Sequence, residues 1–188
     1  MATRCGRLLA AGLVSLGTFA FAAAPLSYPA EAAARVAGHL AGLPRGRTPD
    51  LVSARCTLPA NANALVATVL ASVNAQRRAK GLAALRPSPV LMQAAQGLAC
   101  DNAARGGYSH TGVDGSDLRT RLRRVGYRMR VAAENTAFGF DDPDRLVRFW
   151  MGSAAHRANI LNPGTRDFGL GLAAGSRPAW VLVMGRQG

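Results

Sequence analysis

Three cysteines, three histidines and one lysine, Lys80, are all that 188 residues hold of those types. Each scarcity removes a class of function. A closed zinc–thiolate site draws on four ligands, usually two cysteine pairs, and no second pair is present here. Aromatic residues make up only 6% of the chain. No basic run is interleaved with stacking aromatics, so a nucleic-acid partner would rest on charge alone and is not expected. HExxH, a nucleophile elbow and a phosphate-binding glycine loop are also missing, which removes the familiar hydrolase signatures. The chain contains no internal repeat.

What is present is apolar bulk and arginine. With 49% hydrophobic residues, one domain plus appendages can bury a proper core. The formal charge of +13 points to acidic partners such as an anionic envelope or lipid head groups. Nearly all of that charge is arginine, and alanine and glycine are abundant beside it. The three rise together in G- and C-rich coding sequence, so compositional drift is favoured over a dedicated polyanion site.

The first 32 residues read as an export signal. Arg4 and Arg7 precede the apolar run LLAAGLVSLGTFAFAAA, and Ala30-Glu31-Ala32 has the small-x-small form of a cleavage site. An uncleaved anchor is the alternative, since the run is only slightly short of spanning length. Its alanine and glycine content favours cleavage, no lasting transmembrane segment, and a secreted, periplasmic or envelope location. Residues 33–60 carry scattered prolines and glycines and read as a flexible lead-in tied down by Cys56. With the leader removed, Cys56 and Cys100 form an even pair, which reads as a disulfide in an exported chain. The rival reading is two free thiols, with Cys100 buried in a helix.

Over residues 61–80, Leu65, Val69 and Val73 with Val66 and Leu70 give a broad buried helical stripe. Arg77, Arg78 and Lys80 supply cations to the last turn and Gly81 a left-handed end. Ser88-Pro89 starts a second helix with a good cap. Leu91, Ala95, Leu98 and Asn102 share a face of it, and Gly106-Gly107 turn the chain into Tyr108-Ser-His-Thr-Gly112. Ser116 or Asp117 can cap a short helix with Leu118, Leu122 and Val125 on one face. An arginine-bearing edge strand is expected over 127–133, directly before Glu134-Asn135. A helix opening at Asp142-Pro143 carries Leu146, Val147, Trp150 and Met151, and is expected to deliver Ser153 and His156. Phe168, Leu170 and Leu172 alternate with Gly169 and Gly171, as in a strand against which another backbone packs closely. Residues 179–184, AWVLVM, are apolar on both faces and read as a covered central strand. A hairpin through Ser176-Arg177-Pro178 joins the two.

His39 lies in the lead-in, which leaves His110 and His156 as natural partners with Glu134 between them. Two imidazoles can fill two of zinc's four positions, with Glu134 orienting one of them or accepting a proton from bound water. Without metal, the trio can act as an acid–base cluster. The plainer alternative has the histidines bracing the cleft and Glu134 paired with Arg157 or another arginine. Ser109 and Ser153 read as helix-end caps more than nucleophiles, Asn135 and Asn159 as loop braces, and Trp150 as core.

In order along the chain, YSHTG, VDGS, AENTAFG, FWMGSAAHRANIL and DFGLGL resemble the bacterial, SCP-like branch of the CAP superfamily of cysteine-rich secretory, antigen five and pathogenesis-related proteins. The likeness runs from about Leu65 to Met184. It implies an α+β fold, a three-layer α–β–α sandwich with a central antiparallel sheet and a shallow cleft. The family's two histidines fall on His110 and His156, and one of its two glutamates on Glu134. Those histidines can bind a divalent metal, often zinc. The second glutamate is replaced by Ser153, and the Pro-Gly before the second histidine by Ala154-Ala155. Two functions follow as expectations. One is an exported binding module whose ligand is lipid, peptide or an anionic envelope component. The other is a metal-assisted hydrolase with zinc on His110 and His156 and Glu134 as general base.

Overall fold

The computed structural model describes residues 56–188. The expected export signal and the lead-in up to residue 55 lie outside the described residues. Helix α1 (Ala62–Arg78) is followed by a two-residue strand β1 (Arg86–Pro87) and helix α2 (Pro89–Arg105). A short helix α3 (Leu118–Arg124) leads to the long strand β2 (Met129–Phe138). Helices α4 (Pro143–Gly152) and α5 (Ala154–Ile160) come next, and strands β3 (Asp167–Ala173) and β4 (Ala179–Gln187) close the domain.

The predicted element ends are present with the expected chemistry. Ser88 accepts from the Leu91 N–H with Pro89 in the first turn, and Asp117 accepts from Thr120 N–H. Gly81, Gly106 and Gly126 all take positive φ, a conformation that costs other residues and ends a helix cheaply at glycine.

The sheet order is β1-β3-β4-β2. β4 pairs antiparallel with both β2 and β3, so the hairpin between β3 and β4 is as expected. β1, however, runs parallel to β3, so the sheet is mixed and not purely antiparallel. The chain passes from α1 to α2 along the outer edge of β3, and its direction there is set by delivering Ser88 to the start of α2. Two backbone bonds, Arg86 N–H to Arg166 and Ser88 N–H to Phe168, hold that passage.

Side-chain alternation assigns the two faces of the sheet to two cores. Trp180, Leu182 and Met184 of β4, with Phe168, Leu170 and Leu172 of β3, pack against α1, α4 and α5. Val181 and Val183 pack against Leu91, Leu98 and Leu122 of α2 and α3. These are the three layers. The close approach expected at the β3 glycines is real: a Cβ on Gly169 or Gly171 would lie 2.3 Å from the backbone of Leu91 or Ala95. Cys56 and Cys100 are joined in a disulfide. Beside it, the Gln96 amide donates to Leu172 O and accepts from Leu172 N–H, covering the β3 edge beyond β1.

Two further expectations are corrected. β2 does not stop before Glu134 but carries Glu134 and Asn135 in mid-strand, because Ala133 and Ala137 continue the buried alternation beside β4. The helix begun at Asp142 does not reach His156. It ends at Gly152, where Ser153 turns extended, and α5 restarts at Ala154.

Candidate functional site

Glu134 and Asn135 are neighbours on one strand, so their side chains leave on opposite faces of the sheet. Each gathers one side of the candidate site. On one side, Glu134 Oε1 lies 2.9 Å from His110 Nδ1, and Oε2 accepts from Arg121 Nη2 at 2.6 Å. On the other, Asn135 Nδ2 donates to the backbone carbonyl of His156 at 3.1 Å. Asn159 Nδ2 spans the two, donating to Glu134 O and Asn135 Oδ1. The three residues singled out from the sequence thus belong to one network, and both asparagines brace it.

The His110 loop is held from below. Asn102, on the buried face of α2, donates to Ser109 O, and Arg105 donates to Thr111 O. Ser109 Oγ accepts from the Thr111 N–H, a turn contact. The Arg121 guanidinium donates to His110 O and Ser116 O as well as to Glu134. Arg121, and not Arg157, is the arginine that pairs with Glu134; Arg157 donates to Met151 O. The α3 pattern contained the signal for Arg121. It lies three residues after Leu118 and four before Val125, on the same stripe as Leu122, the face this helix turns inward.

The two histidines are unlike in environment. The His110 side chain is 57% exposed while Glu134 beneath it is 4% exposed. The hydrogen bond to Glu134 raises the His110 pKa above its ordinary value, helped by the carboxylate's charge and opposed by burial and Arg121. His156 is lowered, first by burial and then by the charge of His110 nearby. Its Nδ1 is buried without a hydrogen-bond partner among the described residues. Phe149 flanks it, ring centroids 5.9 Å apart, and Phe140 stacks obliquely on Phe149 at 4.9 Å. Phe149 is 46% exposed, so an apolar rim adjoins the buried imidazole nitrogen. Trp150 is core, its indole N–H given to Thr136 O.

For a divalent metal, the residues fit a two-donor site at most. His110 has spent Nδ1 on Glu134 and keeps Nε2, whereas the unbonded Nδ1 of His156 is buried, which leaves the other ring nitrogen as its donor. Each Glu134 oxygen already accepts one hydrogen bond, and the side chain is 4% exposed. Among the described residues no group of three or more histidine, cysteine, aspartate or glutamate side chains converges to hold an ion.

The model of the cysteine-rich secretory protein family matches residues 70–184. The uncharacterised protein YkwD of Bacillus subtilis is 27% identical over 124 residues, which are 66% of this chain and 48% of that protein. An SCP-domain extracellular protein of Bacillus anthracis superposes with a TM-score of 0.63 at 22% identity, over 70% of this chain and 45% of that one. An outer surface protein of Borrelia burgdorferi gives 0.60 at 19% identity, over 64% of this chain and 91% of that one. The chain spans about half the length of YkwD and of the Bacillus anthracis protein. With the family's pattern covering both histidines, Glu134 and the sheet from β2 into β4, this chain belongs to the cysteine-rich secretory protein (CAP) family.

Proposed function

We propose that this CAP domain is an exported binding module of the envelope or extracellular space, and that its cleft takes a ligand between His110 and the Phe149–His156 rim. The observation that carries this reading is the placement of Glu134. A general base must reach the reacting water. Here the carboxylate side chain is 4% exposed, with one oxygen on His110 and the other bound to Arg121 in a buried pair. We read Glu134 as a positioning residue for His110, which takes the main support from the hydrolase reading.

What remains is a seat built for recognition. The His110 ring stands out on a loop tied to two helices, and an apolar rim adjoins a buried imidazole nitrogen that lacks a partner. A divalent cation would be held by His110 and His156 alone, with water or ligand completing it. A bound cation supplies Lewis acidity. The carboxylate behind His110 is the arrangement that fixes the tautomer and ring orientation of a metal-binding histidine. The extracellular and outer-surface descriptions of the structural relatives support an exported location. Among the described residues no helix is long and apolar enough to cross a membrane.

The test is a calorimetric zinc titration of the exported chain beside His110→Ala and His156→Ala, followed by peptide and envelope-polymer turnover assays. The module reading expects one weak site, lost in both variants, and no turnover with zinc present. Turnover that disappears in Glu134→Gln while that variant stays folded would restore the hydrolase.

A further inference from the structure

We propose that the trough between α3 and the outer edge of β2 seats an extended phosphodiester polyanion, gripped by Arg119, Arg123, Arg128 and Arg130. Two hollows of about 310 and 440 Å³ lie there and share Arg119 and Met129, so they are successive sections of one trough. The first adds Arg123 and Arg128 to its lining and the second Arg130; no carboxylate lines either. All four arginines are exposed. None makes a side-chain hydrogen bond or ion pair among the described residues, although the charge of Arg119 is felt by Asp117. The neighbouring arginines of α3 differ: Arg121 is bound to Glu134 and Arg124 to Asp114. Coding composition accounts for how many arginines the chain has, not for four unpaired ones around a single trough. Like charges so placed repel one another, and an anion threading between them relieves that repulsion.

The occupant follows from what else lines the trough. Guanidinium forks match phosphate oxygens in pairs, and two hollows in series suit a repeating charge. Nucleobases would need exposed rings to stack on. The one ring in the lining, Tyr127, is 2% exposed, and its hydroxyl is given to Asp167. An acidic peptide could add as a strand to β2, whose outer edge has no partner strand among the described residues. The register shift between Met129 and Val131 interrupts that edge within the trough, and bulges and edge charges are what block strand addition.

The experiment is fluorescence anisotropy with the exported chain and three labelled probes of equal charge: a glycerol-phosphate oligomer, single-stranded DNA and polyglutamate. The glycerol-phosphate oligomer is expected to bind, its log affinity falling against log salt with a slope of about −3 for four phosphates. Arg119→Gln/Arg123→Gln should weaken binding about tenfold and reduce that slope by about 1.5. The charge-matched Arg145→Gln/Arg148→Gln should change affinity less than about twofold, as rim charges outside the track do. Arg128→Gln/Arg130→Gln repeats the test on the strand side should the α3 variant fail to fold. No binding at low salt, equal loss in the control variant, or tighter binding of DNA or polyglutamate would each overturn the proposal.

Discussion

Two arginines are buried among the described residues, and they are buried differently. Arg77, in the last turn of α1, is fully enclosed. Its guanidinium donates to the carbonyls of Ala83, Ile160, Asn162 and Thr165 and to the Thr165 hydroxyl. Every partner is a neutral oxygen. Burial, and then the charge of Arg166, lowers its pKa from the ordinary value. Arg121 sits 7% exposed against the carboxylate of Glu134, which in turn aims His110. The first arginine ties α1 to the end of α5 and to the loop entering β3. The second belongs to a relay that ends at an exposed ring. A buried cation satisfied by backbone is framework, whereas one that shares a carboxylate with a histidine sets the posture of a site.

Arg77→Met should break the framework side most severely. Four carbonyls lose a donor at about 1–3 kcal/mol each, partly offset by methionine packing, so a loss of about 4 kcal/mol or more is expected in chemical denaturation. Glu134→Gln breaks the other side. It leaves Arg121 buried without its counter-charge, at a cost of about 3 kcal/mol. The double variant Arg121→Met/Glu134→Leu sharpens the contrast. Removing both charges together should recover part of that loss, because an apolar pair replaces a buried ion pair at little net cost, while the His110 and Ser116 carbonyls still lose the Arg121 donor. Arg77 has no single partner whose removal could rescue it.

Smallest is the pH effect. The His110 pKa is raised on folding, so its contribution to stability is complete below the ordinary histidine value of about 6.5 and is lost as pH rises through its folded value. His156 is lowered, so its contribution is present above about 6.5 and is lost as pH falls through its folded value. Thermal midpoints of His110→Asn across pH should therefore lose the alkaline decline and keep the acid one.

The contrast also shows what can be read from the chain. The helical stripes, Ser88-Pro89, the β3 glycines and the covered β4 strand are legible because each is a local pattern with a local cause. His110, Glu134 and His156 are legible as a trio through the family's ordered motifs. Arg121 escapes a reading by pattern although it occupies a buried stripe position, as does Arg77, three residues past Asn74 and seven past Leu70. Arginine in a basic helix reads as solvated until the carboxylate or carbonyls that meet it are known, and those arrive from distant elements. The parallel β1 is not legible either, since two residues carry no period. The length of β2 is obscured because Glu134 looks like the start of a loop and not a charge in mid-strand.

The central claim is that the Glu134 carboxylate on His110, and burial at His156, hold the two histidines in unlike states before any ligand arrives. A pH titration of the histidine ring resonances by NMR, with chelator present, tests it most directly. The account predicts a midpoint above about 6.5 for His110 and below it for His156, with the His110 value falling in Glu134→Gln. Coincident midpoints, or a His110 midpoint that ignores Glu134→Gln in a folded protein, would contradict it.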